Sequence, residues 1–302
     1  MDALHRPLDR PRRSVTPPRT VPKGPYGGLC IGGGAAAGYQ FLGCLHYFYT
    51  ETDWMKRVRV YGGTSIGAAI GTFLALGFTP MEIFQMMMTY DLDDILTFDL
   101  TQLPQKWGLV NNEKWIKYIK QMILLKWSYV PTLQEVFDQT GNILCITTWC
   151  MTQKPHAVYL TPQTHPDILV SDAIAMSTNL PCIFTKMEYK GHLYIDGGIF
   201  DNCPSKKTES LLDREERLLV IRLTDYSVPE SIDSLSHYMK SILEIFHRSQ
   251  TCESPEQGDE IVLKAELDSM TLRVEKKVRT EIFQRVFKRI KYQLFIPKVK
   301  KE

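Results

Sequence analysis

Apolar and polar positions change rhythm repeatedly along the first 225 or so residues. Gly28 to Ile31 is an apolar run of strand length, followed by a glycine-rich turn and a helix-like segment ending near Tyr49. Val58 to Tyr61 repeats the pattern, with a second glycine-containing turn and an apolar helix through Ala75. Helices are predicted at Met81 to Thr89, behind a proline in the first-turn position, and at Glu113 to Leu125. Strands are predicted at Ile143 to Trp149, Ala157 to Leu160, Leu193 to Ile195 and Leu218 to Leu223, with a helix at Asp167 to Ser177. This alternation predicts a mostly parallel central sheet with helices on both faces, a three-layer α/β/α architecture. In such sheets, sites form at the carboxyl ends of strands. The remaining residues carry helical periodicity without strong strand signals. The expected organisation is therefore a domain over residues 25–225 and a helical extension over 226–302.

Composition narrows the class. Of 302 residues, 44% are hydrophobic and 23% charged, which supplies a substantial core and excludes a wholly disordered or collagen-like chain. The formal net charge of +2 hides an asymmetry. Residues 1–24 hold six basic and two acidic side chains, and residues 275–302 hold ten basic and three acidic, so the centre is acidic. No general nucleic-acid-binding charge results, while each end is suited to an anionic surface. With five prolines and almost no aliphatic run, residues 1–24 are expected to be a disordered basic tail. The seven cysteines are odd in number and contain no C-x-x-C pair, a pattern of reduced thiols in a cytosolic protein. The N-terminus has no apolar core of a secretory signal. Tyr26 to Leu45 and Tyr61 to Pro80 are uncharged and long enough to span a bilayer, but both are glycine-rich and polar-interrupted, and each reads as strand, turn and buried helix.

Three constellations carry candidate chemistry. Gly32-Gly33-Gly34-Ala35-Ala36-Ala37-Gly38 stands between a strand and a helix, where exposed backbone N–H groups and a helix N-terminus favour an anion or a developing oxyanion. The same residues satisfy a loose G-x-G-x-x-G/A dinucleotide pattern, but the next strand ends in Val60-Tyr61-Gly62-Gly63 with no carboxylate for a ribose. Gly63-Thr64-Ser65-Ile66-Gly67 is a G-x-S-x-G, in which flanking glycines permit the strained turn that lifts a nucleophilic serine above a sheet. Asp196-Gly197-Gly198 ends an apolar strand, and its glycines let another loop approach the carboxylate. A conventional triad would require a histidine beyond Asp196. Only His237 and His247 remain there, both in an amphipathic helical stretch, so a Ser-Asp dyad is the economical reading.

In this order, the glycine loop with downstream Leu42-Gly43-Cys44-Leu45, the serine pentapeptide and Asp196-Gly197-Gly198 resemble the patatin-like phospholipases. Ala173 to Pro181 resembles the family's segment before the Asp strand, and Asp201-Asn202-Cys203-Pro204 its Asp-Asn-x-Pro ending. The resemblance covers roughly Tyr26 to Thr224. It implies Ser65 as nucleophile, Asp196 as proton acceptor, the N–H groups of Gly33, Gly34 and Ala35 as oxyanion hole, and Gly38, Gly63, Gly67, Gly197 and Gly198 as motif glycines. It further implies a lipid acyl hydrolase of phospholipase, lysophospholipase or acylglycerol lipase type. The residues themselves demand no metal, since the sequence holds no EF-hand loop and no His-Cys cluster with ligand spacing, and no cofactor is expected. Two departures stand out. Ala35 replaces a third glycine, tolerable only at negative φ, and Ala37 replaces a frequent cation. An inactive lipid-binding relative and a histidine-triad α/β-hydrolase are the rival readings.

A lipid substrate implies interfacial access. Val278, Ile282, Phe283, Val286, Phe287, Ile290 and Leu294 form one helical stripe flanked by Lys and Arg. It suits either a lipid headgroup layer or this protein's own core, and the second is the commoner use of such a stripe. Met86-Met87-Met88 is expected to offer adaptable apolar surface near the pocket. The expected partners are a phospholipid or neutral lipid substrate and, peripherally, a membrane or lipid-droplet surface. The expected location is cytoplasmic.

Overall fold

The computed structural model describes residues 24–89, 96–152, 155–224, 252–267 and 271–295, with a few isolated positions between 232 and 242. The expected tail over residues 1–24 lies, but for Gly24, outside them. The strands are β1 Gly28–Ile31, β2 Val60–Thr64, β3 Gly108–Val110, β4 Ile143–Cys150, β5 His156–Leu160, β6 Cys182–Phe184, β7 Met187–Tyr189, β8 His192–Asp196, β9 Leu218–Thr224 and β10 Gly258–Lys264. The helices are α1 Gly38–Glu51, α2 Ile66–Ala75, α3 Pro80–Thr89, α4 Leu103–Lys106, α5 Asn112–Ile123, α6 Leu133–Thr140, α7 Val170–Ser177, α8 Ser205–Glu209 and α9 Lys276–Phe295.

One eight-stranded sheet runs in the order β10-β9-β1-β2-β4-β8-β7, with β5 on β4. From β10 to β4 every pairing is parallel, whereas β5, β8 and β7 join antiparallel. The period-2 alternation of β1 and β9 divides the core between the two faces. Leu29, Ile31, Leu219 and Ile221 join the main cluster beneath α1, α2 and α9, while Cys30, Leu218 and Val220 join a small cluster with Cys203. The second face is thinner and is covered in part by α8, which lies so close that a Cβ on Gly62 would meet the Thr208 side chain.

The register around β4 positions the site. β2 occupies one edge of β4 up to the pair Thr64 and Thr147, and β5 occupies the opposite edge. β8 therefore shares the β2 edge, and it arrives from the other direction, ending with Asp196 opposite Thr148. Two strands thus meet end to end between consecutive residues of β4.

The expected boundary at residue 225 does not divide this architecture. β10 is a parallel edge strand in the same sheet, and α9 packs along α1. The strand escapes a hydropathy reading because Asp259 and Glu260 look like surface charges. Here Asp259 accepts hydrogen bonds from Tyr26 and Arg217, and Glu260 pairs with Arg222 of β9. The basic amphipathic helix takes the commoner of its two expected uses. Ile282, Phe283, Val286 and Ile290 are buried, and the Phe283 ring lies 4.3 Å from that of Phe84. Its apolar face is therefore occupied by the protein's own core. Leu294 lies outside the described side chains.

Phe283→Ala is expected to cost about 3–5 kcal/mol of stability, the usual range for emptying a buried aromatic site. Tyr292→Ala, at a 66% exposed position of the same helix, should stay within about 0.5 kcal/mol. Urea denaturation of both variants checks this, and equal midpoints would contradict the packing of α9.

Candidate active site

Ser65 stands between β2 and α2 with φ 55° and ψ −126°, a backbone region that a side-chain-bearing residue rarely adopts. The strain, typically about 1–3 kcal/mol, is held by its surroundings. The Ser65 N–H donates to Ser177 Oγ at 2.9 Å, and Ser177 Oγ donates to the Thr147 carbonyl at 2.6 Å. One residue earlier, Thr64 Oγ1 donates to the Asp201 carbonyl. The turn also needs Gly67, because a Cβ there would lie 2.3 Å from the Ile31 carbonyl oxygen. Gly63 and Gly38 are likewise closely packed, the first against the backbone of Gly67 and the second against Ile66.

Asp196 approaches from the opposing strand end. Ser65 Oγ donates to Asp196 Oδ2 at 2.6 Å, and the Gly198 N–H donates to Oδ1 at 2.7 Å. Gly197 is required for this approach, since a Cβ would lie 2.5 Å from the Thr147 carbonyl oxygen. Both side chains are buried. Burial pushes the Asp196 carboxyl up to about 7, against the opposing pull of the hydrogen bonds from Ser65 and Gly198. The carboxylate is therefore a stronger base than its ordinary value near 4 implies. The direct contact leaves no place for an imidazole between the two groups, and His237 and His247 lie outside the described residues.

The glycine loop differs in detail from expectation. Gly33 donates its N–H to the Asn202 carbonyl at 2.9 Å, so it anchors the loop and is not an open donor. Ala36 donates to the Thr271 carbonyl and Ala37 to that of Gly34. The N–H groups of Gly34 and Ala35 have no acceptor among the described residues. Ala35 and Ser65 line the same cavity. Ala35 has φ 46°, so the condition of negative φ is not met and its methyl is carried at a cost in strain. Sequence reading gave no role to Ser177, Asn202 or Thr271. The first two lie inside segments that resemble the family's motifs, whereas the contribution of Thr271 is a backbone carbonyl and leaves no signal in residue type.

The cavity beside Ser65 is apolar and about 100 Å³ in volume. Ile70, Phe73, Met87, Trp115 and Met122 are among its walls, so one residue of the Met86-Met87-Met88 cluster does reach it. Trp115 is fixed by a hydrogen bond from its indole N–H to Thr178 Oγ1. Among the described residues no cluster of His, Cys, Asp and Glu has the arrangement of a metal site.

Comparison with known proteins agrees with this architecture. The model of the patatin-like phospholipase family matches residues 29–206, from β1 into α8, and the chain belongs to that family. It is 31% identical over 185 residues to a probable lipid hydrolase, 463L, of Invertebrate iridescent virus 6, a match covering 59% of this chain and 62% of that protein. It is 26% identical over 200 residues to uncharacterized protein R571 of Acanthamoeba polyphaga mimivirus, covering 65% of this chain and 66% of that one. The chain thus covers less than two thirds of either relative. In fold it is similar to VipD from Legionella pneumophila, with TM-score 0.59, 14% identity and coverage of 90% of this chain and 67% of that one. It is also similar to ExoU from Pseudomonas aeruginosa, solved in complex with SpcU, with TM-score 0.51, 15% identity and coverage of 91% and 54%.

The raised Asp196 value has two measurable consequences. Were Asp196 the proton acceptor of an ester hydrolysis, turnover would rise with pH through about 7 and level off above it, because only the ionised carboxylate accepts a proton. Between about 4, where the unfolded carboxyl titrates, and about 7, the folded chain alone keeps the proton, so stability should fall as pH rises across that window. Asp196→Asn should remove that component, which thermal melts at pH 4.5 and 7.5 would detect. A rate profile flat from pH 5 to 8 would contradict the assignment.

Proposed function

We propose that this chain is a lipid acyl hydrolase that cleaves carboxylic esters through an acyl-enzyme on Ser65, with Asp196 as the proton acceptor. The observation that carries this reading is the buried 2.6 Å contact from Ser65 Oγ to Asp196 Oδ2 at the top of a parallel sheet. In the first step Asp196 takes the Ser65 proton as Oγ attacks the ester carbonyl carbon, and the carbonyl π electrons move onto oxygen. The N–H groups of Gly34 and Ala35 are the donors for that oxyanion. Collapse of the intermediate expels the alcohol, which leaves with the proton held by Asp196. Water then enters, Asp196 takes its proton, and attack on the acyl-serine releases the fatty acid and restores Oγ–H.

Esters suit this site better than amides, because an alcohol leaves with less help from a general acid than an amine does. The apolar cavity beside Ser65 fits an acyl chain, and phospholipid or neutral lipid is the corresponding substrate class. A dry cavity of about 150 Å³ holds a ring the size of benzene, so 100 Å³ takes only a short acyl segment without rearrangement. Met87 and Met122 are the side chains best suited to yield to a longer one. The strain at Ala35 is what favours the rival reading of an inactive lipid-binding relative.

Turnover of a chromogenic short-chain ester and of a phospholipid panel separates the readings. Ser65→Ala and Asp196→Asn should each lower kcat by at least about 1000-fold, and Ser65→Ala should abolish labelling by a fluorophosphonate. Vesicle binding by the wild type with neither turnover nor labelling would establish the inactive alternative. Met122→Ala should shift the preferred acyl length upward by a few carbons, measured as kcat/KM across a p-nitrophenyl ester series. An unchanged preference would remove the cavity as the acyl site.

A further inference from the structure

The cavity wall continues into an exposed apolar tip with basic residues beside it. Leu96 lines the cavity, and the chain after it runs outward through Phe98 and Asp99 to a short helical turn and α4, then returns along β3. The return is fixed by backbone pairing: Phe98 bridges Val110, the Asp99 N–H donates to the Leu109 carbonyl, and β3 lies parallel to β6. The base of this excursion is firmly buried, with Leu96, Val110, Leu180 and Phe184 forming their own cluster. Phe184 is also a wall of the cavity.

The tip is the opposite. Leu100 is 76% exposed, Trp107 53%, Phe98 46% and Leu103 39%, four large apolar side chains within ten residues. Such grouping is what distinguishes a contact surface from apolar residues scattered singly. Trp107 is held outward by the backbone. It has φ 59°, and the following Gly108 packs so tightly on Phe184 that a Cβ would meet the Phe184 carbonyl oxygen. A left-handed tryptophan is a strained conformation, and its side chain gains little burial in return.

Cations accompany the aromatic rings. Lys186 Nζ lies 4.7 Å from the Trp107 ring centre, and the Arg273 guanidinium lies 5.3 Å from that of Phe98. Lys106 is exposed on α4, and its carbonyl accepts the N–H of Lys186, which ties the two basic residues together. Among the described residues neither Lys106 nor Lys186 has a salt-bridge partner. Asp99, the acidic residue of the turn, is committed to the N–H and hydroxyl of Thr101 and to Gln102. Exposed Trp and Leu for the interfacial layer, with lysines at the level of lipid phosphates, is the chemistry of an anionic bilayer surface.

We infer that the Phe98–Trp107 tip, with Lys106 and Lys186, docks the protein on an anionic phospholipid surface and sets the cavity mouth against it. This deepens the acyl hydrolase reading, on which its biological use rests, by naming the surface from which substrate is drawn. The amphipathic helix α9 is not the docking element, because its apolar face is spent on α1.

Co-sedimentation with phosphatidylcholine vesicles, with and without phosphatidylserine, tests the surface. The wild type should bind the serine-lipid vesicles and lose affinity as salt is raised. The double variant Leu100→Ser/Trp107→Ser should bind about tenfold or more weakly, and Lys106→Gln/Lys186→Gln comparably so at low salt. Both should hydrolyse a soluble short-chain ester at the wild-type rate, which shows that the fold is intact. Wild-type binding by either double variant would overturn the inference. So would a wild type that binds neither vesicle, an outcome that would leave the tip to a protein partner. Loss of binding in the variants alongside a wild type inert toward every ester would keep the surface and remove the hydrolase reading.

Discussion

The site depends on two strands ending against each other on one edge of a third. β2 rises along β4 as far as Thr147, and β8 descends the same edge as far as Thr148. Neither strand can continue, so both chains turn out of the sheet at the same height, and the first residue past one faces the last residue of the other. The 2.6 Å contact between Ser65 and Asp196 follows from that collision. The Thr147 carbonyl lies at its centre, accepting from Ser177 and leaving room beside it only for a glycine at position 197.

Burying a carboxyl at this point works against folding, because desolvation disfavours the charged form. The environment returns part of that cost through the Ser65 hydroxyl and the Gly198 N–H, and the residue is left as a base titrating near 7. The same desolvation that destabilises the ionised group raises its proton affinity toward that needed for general-base work. The strained backbone of Ser65 and Ala35 belongs to the same balance. Strain at the two loops is carried by neighbouring hydrogen bonds to Ser177, Asn202 and Thr271.

Thr271 also shows why the C-terminal residues belong with the rest. Its carbonyl fixes Ala36 in the glycine loop, and the helix that follows covers α1 directly behind that loop. Two residues on, the Arg273 guanidinium reaches the Leu96 carbonyl and the Phe98 ring, so the same segment joins the glycine loop to the exposed apolar tip that carries Phe98 and Trp107.

The sequence by itself determined the parallel α/β core, the serine turn and the Asp-Gly-Gly turn, because each is written in local hydrophobic period or in glycine spacing, whereas the period of α9 announced an apolar face without saying what covers it. Gly67 and Gly197 were legible as motif members for the same reason: close backbone approach admits no other residue. Tertiary structure alone decided that β10 completes the sheet, since the partners that neutralise Asp259 and Glu260 come from residues more than thirty positions away. It also decided which loop N–H groups stay open. Gly33, Gly34 and Ala35 look alike along the chain, and it is the Asn202 carbonyl, folded back against the first of them, that separates an anchor from two donors without an acceptor among the described residues.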